Sequence, residues 1–318
     1  MVTGASGFLG TSICERLVEH GYQVRGLVRS LDTMRTRNPS IDYITGDILD
    51  PSSLDRACRN VCAVVHAAGL AHTNNVYEEE LEKTNVVGTE LIVSATLNNG
   101  IRKFIYISSA LASKVCDGQY ESTKYAQSKN NAERIVSAAH KNDQLEAVIL
   151  RPVNVYGVGM QGNIVFLMSL IKRGIAPRLP TLNTKVSLVG VRDFSGAVIL
   201  AVESDRAVGQ TYIVTDGQKY NINDIERKIY SAVNRKMPTL KIPGLILYLA
   251  CLTIGLMNRL LSYFRIRLTA LGGISVRTYE NLIDDSLYEN SEIKRELGFN
   301  PKSSLYDTLE EIMKSLKG

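Results

Sequence analysis

Residues 1–10 read MVTGASGFLG, and this stretch decides the fold. Gly4, Gly7 and Gly10 stand at the spacing G-x-x-G-x-x-G. Two of them let the backbone turn tightly and approach a pyrophosphate. The third lets the following helix lie close on a sheet, and the helix N-terminus offers unpaired N–H groups to the anion. A glycine triplet alone also fits a turn without a ligand, so the context decides. Ile13, Leu17 and Val18 follow at helical spacing, then His20-Gly21-Tyr22 and a second strand over 23–28. That is a βαβ unit of the expected length. Only Met1, Val2 and Thr3 precede Gly4, whereas a complete strand runs ~5–6 residues, so the first strand is expected to be cut short.

The 318 residues suffice for one large or two smaller domains. With 45% apolar and 22% charged residues the composition is that of an ordinary globular protein. The net charge of +5 suits an anionic small molecule or a solvated surface, and no like-charge run suggests a nucleic-acid tail. Cys14, Cys58, Cys62, Cys116 and Cys251 are odd in number and form no C-x-x-C pair. They read as reduced thiols of a cytoplasmic protein, and no secretory leader is read at the start. His20, His66, His72 and His140 are scattered without ligand spacing, so no metal site is expected.

Arg29 follows the second strand, where an acidic residue would take a ribose 2′-hydroxyl. An arginine cannot accept that bond but pairs with a 2′-phosphate, which favours NADP over NAD; a solvated arginine is the alternative. Residues 41–47 read as the third strand, ending at Asp47. Residues 61–66 form a continuous apolar strand that runs into Ala67-Ala68-Gly69, small residues that leave room for a ligand. His66 beside them reads as a packed side chain. A helix over 78–99 contains Asn85, a strand over 101–107 leads into Ser108-Ser109, a helix covers 122–139, and a strand over 145–150 is stopped by Arg151-Pro152. Such alternation implies a Rossmann-type, doubly wound parallel α/β sheet over residues 1–155, with later returns to it. Ligands of these sheets sit outside the carboxyl ends of the strands, where the glycine turn, Asp47, Ala67, Ala68, Ser109 and Pro152 all fall. Residues 156–318 read as a smaller, mostly helical substrate lobe, with a helix over 163–174, strands over 186–191 and 210–215, and a closing helix over 304–317.

Residues 242–261, IPGLILYLACLTIGLMNRLL, are the most apolar stretch and have the length of a membrane span. Pro243 and Gly244 at the start, and Asn258 and Arg259 near the end, argue for a buried helix of the second lobe instead. The alternative is an interfacial helix resting on a membrane that carries a lipid-linked substrate, with Lys241, Arg259, Arg265 and Arg267 flanking it.

Tyr125 and Lys129 stand four residues apart and so share one helical face. A tyrosine of reference pKa ~10 is a poor base near neutrality. An adjacent ammonium and an oxidised nicotinamide favour its phenolate. Tyr125 then removes a proton from a substrate hydroxyl as hydride leaves the carbon, or returns it in reduction. Ser109 can hold the same substrate oxygen.

With these residues in place, the chain resembles an extended short-chain dehydrogenase/reductase of the NAD-dependent epimerase/dehydratase family, over nearly its whole length. The resemblance rests on residues 2–10, Gly46-Asp47-Ile48, His66-Ala67-Ala68, residues 85–89 (NVVGT), Ile107-Ser108-Ser109, Tyr125-Ala-Gln-Ser-Lys129, residues 151–157 (RPVNVYG) and residues 297–301 (LGFNP). It implies cofactor contacts from Gly4, Gly7, Phe8, Leu9, Gly10, Arg29, Asp47, Ile48, Ala67, Ala68, Tyr125, Lys129 and Pro152. It implies a catalytic set of Ser109, Tyr125 and Lys129, and substrate contacts from Ser109, Asn154, Asn163 and Lys185. The chain departs from the family in lacking V-Y-G after Ser109 and an acidic residue close behind that serine, which disfavours a dehydratase. Lys185 stands where an arginine often meets a diphosphate and cannot form a bidentate fork. The expected activity is therefore a nucleotide-sugar 4-epimerase or 4-reductase. Two alternatives are an NADP-dependent reductase of an apolar alcohol, of sterol or flavonoid type, and a non-catalytic cofactor-binding scaffold. The resemblance further implies a homodimer.

Overall fold

The computed structural model describes residues 1–32, 34, 37–70, 78–116, 123–143, 145–263 and 274–316, with the backbone alone for Cys116, Asp143 and residues 259–263. His72, Ser122, Arg265, Arg267, Lys317, and the side chains of Cys116 and Arg259, to which the sequence assigned features, lie outside that description.

The first strand is held on both sides. Val2 and Thr3 of β1 (Val2–Thr3) pair with Gly26 and Leu27 of β2 (Val24–Val28) and with Val65 and His66 of β4 (Ala63–His66). With β3 (Ile41–Thr45), β5 (Lys103–Ile107), β6 (Glu146–Pro152) and β9 (Thr211–Val214) they form a seven-stranded sheet of order β3-β2-β1-β4-β5-β6-β9. Every pairing in it is parallel. Phe104, Ile105 and Tyr106 are fully buried, which explains a strand that is apolar without alternation.

One face of the sheet packs on α1 (Phe8–Glu19) and α8 (Val191–Glu203), through Ile13, Leu17, Phe194 and Val198. Small residues let these two helices approach, and the Ser12 and Ser195 hydroxyls meet at 2.9 Å. The other face packs on α2 (Pro51–Cys58), α4 (Gly88–Asn98) and α6 (Lys124–Asp143), through Leu54, Ile92, Ala132 and Val136.

The second lobe is built on a three-stranded sheet. β8 (Lys185–Gly190) lies parallel to β7 (Asn154–Tyr156) and antiparallel to β10 (Lys219–Asn221). Around it α7 (Asn163–Arg173), α9 (Ile222–Ala232) and α13 (Leu305–Ser315) bury a separate core. At its base the Asp216 carboxylate accepts hydrogen bonds from Tyr156 (3.1 Å) and Tyr220 (2.6 Å), and Tyr220 in turn accepts one from the Leu305 N–H at 3.0 Å.

Three sequence readings change. The expected single helix over 78–99 is α3 (Glu78–Leu81), a π-helical segment (Glu82–Val87) and then α4. The strand expected to stop before Arg151-Pro152 runs through both residues. A proline in last position forfeits only its own N–H, and the Pro152 carbonyl accepts from Ala110 at 2.9 Å. The helix expected to be buried at 242–261 is α10 (Gly244–Tyr263), which packs on α11 (Val276–Ile283) by one side only; Leu245 is 69% exposed and Ile246 56%. Among the described residues no helix is long and apolar enough to cross a membrane.

Candidate active site

The glycine turn closes on itself between β1 and α1. Gly4 adopts φ +68°, and a Cβ there would meet the Ala68 backbone at 2.8 Å. A Cβ on Gly10 would lie 2.0 Å from the Gly4 carbonyl oxygen. Side chains at these positions would collide with the chain's own backbone, so only glycine lets the turn close tightly and the helix lie against it. Gly7 precedes α1 without a capping side chain, and the first turn of the helix holds no acidic residue. The uncapped N–H groups and the positive end of the helix dipole therefore remain available to an anion. Phe8 and Leu9 form the first turn, half-buried against the second-lobe core and the sheet core respectively. These features fit a dinucleotide.

The flanking positions line the same sheet edge. Arg29 is exposed directly after β2, and among the described residues nothing holds its guanidinium. Asp47 is exposed after β3 and uses one carboxylate oxygen to accept the Leu49 N–H at 2.9 Å. Ile48 packs against Gly88. Ala67 and Ala68 are half-buried after β4, with the Ala68 N–H donating to the Thr3 hydroxyl at 3.1 Å. His66 is fully buried between the hydroxyls of Thr3 (2.7 Å) and Thr89 (3.1 Å). Burial first, and the Lys129 charge second, lower its pKa to about 3, so it is a neutral, packed histidine.

Ser109, Tyr125 and Lys129 converge where β5 meets α6. The side chain of Ser109 hydrogen-bonds that of Tyr125. The Lys129 ammonium, 6% exposed, donates to the Ile107 carbonyl at 2.9 Å and to the Tyr106 hydroxyl at 3.4 Å. Gly69 makes the opening for it: a Cβ there would lie 3.4 Å from Lys129 Nζ and 3.0 Å from Asn85 Oδ1. Asn85, in the π-helical segment, clamps this corner by accepting from the Leu70 N–H (2.8 Å) and donating to the Ser128 hydroxyl (3.0 Å). The expectation that Lys129 depresses the Tyr125 pKa changes. Burial pushes the Tyr125 phenol up from its ordinary value and the Ser109 hydrogen bond opposes only part of that, so the chain's own groups hold Tyr125 protonated.

Beneath them lies a group that sequence reasoning missed. Glu133, one helical turn beyond Lys129 on α6, accepts from Arg151 Nε at 2.9 Å and from a second Arg151 nitrogen at 2.6 Å, and from the Ser108 hydroxyl. Glu133 is buried and Arg151 half-buried, with side chains 6% and 16% exposed. The sequence signal is the i, i+4 spacing of Lys129 and Glu133.

The outer residues separate. Pro152 is buried beside the Ser109 loop, and Asn154 is exposed at the start of β7. Asn163 is exposed as the first residue of α7, after Gly162. Lys185 opens β8, and since Asn154 pairs with Leu188, Lys185 sits three residues, ~10 Å, away along the strand. Asn154 and Lys185 are not neighbours.

Burial lowers the Lys129 pKa from 10.5 to about 8, against a smaller opposing effect of Glu133. The unfolded chain therefore binds more protons between those pH values. The charged lysine destabilises the folded state fully below pH 8, and this effect fades as pH rises toward 10.5. We expect Lys129→Met to be more stable than the parent at neutral pH by about 3 kcal/mol. Urea unfolding should show the gap narrowing above pH 8; a variant less stable than the parent at neutral pH would contradict this electrostatic account.

Comparison with known proteins adds to this geometry. The model of the NAD dependent epimerase/dehydratase family matches residues 1–222. A UDP-glucose 4-epimerase from Vibrio cholerae is 27% identical over 259 residues, covering 76% of this chain and 77% of that one. A 3-beta-hydroxysteroid dehydrogenase from Mycolicibacterium neoaurum is 24% identical over 98% of this chain and 90% of its own. The solved structure of UDP-glucuronic acid 4-epimerase from Bacillus cereus in complex with NAD superposes with a TM-score of 0.75, at 18% identity, over 99% of this chain and 96% of that one.

Proposed function

The chain belongs to the NAD-dependent epimerase/dehydratase family and is an enzyme of it, and from that premise we propose that it oxidises and reduces a hydroxyl-bearing carbon of a nucleotide-sugar, as a 4-epimerase or 4-reductase. The observation that carries the reading is the Ser109–Tyr125 hydrogen bond with a buried Lys129 one turn along the same helix. With enzymes as relatives, the non-catalytic scaffold is set aside.

When bound, NAD(P) supplies the acceptor or donor of hydride and, in its oxidised form, a positive charge beside Tyr125. Tyr125 Oη takes the proton of the reacting hydroxyl or returns it. Ser109 Oγ holds the same oxygen, so charge developing there meets two donors already in place. Lys129, one turn along the helix from Tyr125, would hold the nicotinamide ribose when the dinucleotide is bound. Asn154 and Asn163, at the entry to the second lobe, suit the polar edges of a nucleotide-sugar, and the Vibrio cholerae relative supports that class.

Arg29 supports NADP as the preferred dinucleotide. Arg29→Ala should raise the KM for NADP about tenfold to a hundredfold and leave that for NAD within about twofold, as expected for loss of one charge-assisted contact to the 2′-phosphate. Equal effects on both cofactors would make Arg29 a surface residue.

An apolar alcohol is the second reading, favoured by the steroid dehydrogenase relative, which aligns over nearly the whole chain. Turnover of a UDP-sugar panel, read by mass and chromatography beside a sterol panel, tests the two. An isomer of unchanged mass, a hydroxyl sugar that loses two hydrogens to the oxidised cofactor, or a keto sugar that gains two from the reduced cofactor, supports the sugar reading. Conversion of sterols alone overturns it.

A further inference from the structure

Apolar exposure on this protein is concentrated. Of the eleven large apolar side chains exposed among the described residues, six lie within 240–257: Leu240, Leu245, Ile246, Leu249, Leu256 and Met257. All but Leu240 sit on α10, at spacings that place them along one side of the helix. Thr253 interrupts this stripe, but its hydroxyl donates back to the Leu249 carbonyl at 2.9 Å and lies 3.1 Å from that of Ala250, so it adds little exposed polarity. The opposite side is already used. Cys251 is buried, Leu247 joins the second-lobe core, Tyr248 meets the Tyr279 ring edge-on at 5.4 Å, and Asn258 donates to the Ile274 carbonyl at 3.3 Å.

Charge identifies what this face meets. From Arg235 to Tyr279 the sequence holds seven arginines and lysines and not one aspartate or glutamate. Arg235, Lys236 and Lys241 are exposed just ahead of the helix, beside Leu240, which is 85% exposed. A second copy docked through the same face would set these cations against their own counterparts with no carboxylate from the segment between them. An apolar stripe preceded by exposed cations matches an anionic lipid surface, where apolar side chains enter the acyl boundary and cations meet the headgroups.

We propose that the exposed side of α10, with Lys236 and Lys241 ahead of it, docks the enzyme peripherally on an anionic bilayer. The helix lies on the surface and does not span it. The second lobe is then held at the membrane, independently of which substrate it takes.

Vesicle flotation of the full chain tests this without any substrate. The protein should float with vesicles of phosphatidylglycerol and phosphatidylcholine, stay behind with phosphatidylcholine alone, and be released as salt shortens the Debye length from about 10 Å to about 3 Å. Leu245→Ser/Ile246→Ser/Leu249→Ser should lower the bound fraction at least about tenfold, and Lys236→Glu/Lys241→Glu should do the same while keeping the apolar stripe intact. Each variant should retain the parent's circular dichroism, since all these side chains are exposed. Failure to float with anionic vesicles, or unchanged binding by both variants, overturns the proposal. So does a sedimentation mass of two chains that falls to one in the triple variant, which would assign the face to a second copy.

Discussion

Tyr125→Phe should lower kcat by about a hundredfold to ten-thousandfold while leaving NAD(P)(H) affinity within about twofold of the parent. The substitution removes one oxygen and keeps the ring. Ser109 then loses its partner, and the reacting oxygen loses the group that exchanges its proton. Cofactor binding should survive because the glycine turn and the N-terminus of α1 are untouched. A variant that keeps more than a tenth of the parent's turnover would show that another group, or water, exchanges this proton.

Glu133→Ala should destabilise the fold by about 3 kcal/mol, because it leaves the half-buried Arg151 guanidinium without its carboxylate. It also strands the Ser108 hydroxyl next to Ser109. Glu133 ties the ends of β5 and β6 to the helix that carries Tyr125 and Lys129, so the loss falls on the site as well as on the core. Replacing both partners, Glu133→Leu with Arg151→Met, should cost less than the single change, since no unpaired charge is then buried. Urea unfolding of the three proteins checks this. A loss below about 1 kcal/mol in Glu133→Ala would mean that water reaches Arg151 and solvates it.

The contrast between these residues explains what the sequence disclosed. The glycine turn is a local device: three residues in one decapeptide dictate a conformation, so its spacing can be read directly. Tyr125 and Lys129 are equally local, one turn apart on a helix. The Ser108–Glu133–Arg151 group joins three segments far apart in sequence, and only the Lys129–Glu133 spacing hinted at it. Hydrophobic periodicity cannot separate a π-helical turn from an α-helical one, so the register change around Asn85 was hidden. Apolar composition likewise cannot tell a helix packed all round from one packed on a single side, which is why α10 read as buried. The distance between Asn154 and Lys185 depends on the β7–β8 register, and sequence order does not contain it.

The role of Tyr125 is tested most directly by the absorbance of reduced nicotinamide in a single turnover, with parent and Tyr125→Phe mixed in turn with the preferred cofactor and the UDP-sugar that turns over. The absorbance should change in the parent, transiently for an epimerase and lastingly for a reductase, and the change should nearly disappear in the variant with cofactor still bound. The same change at the same rate in both proteins would contradict that role.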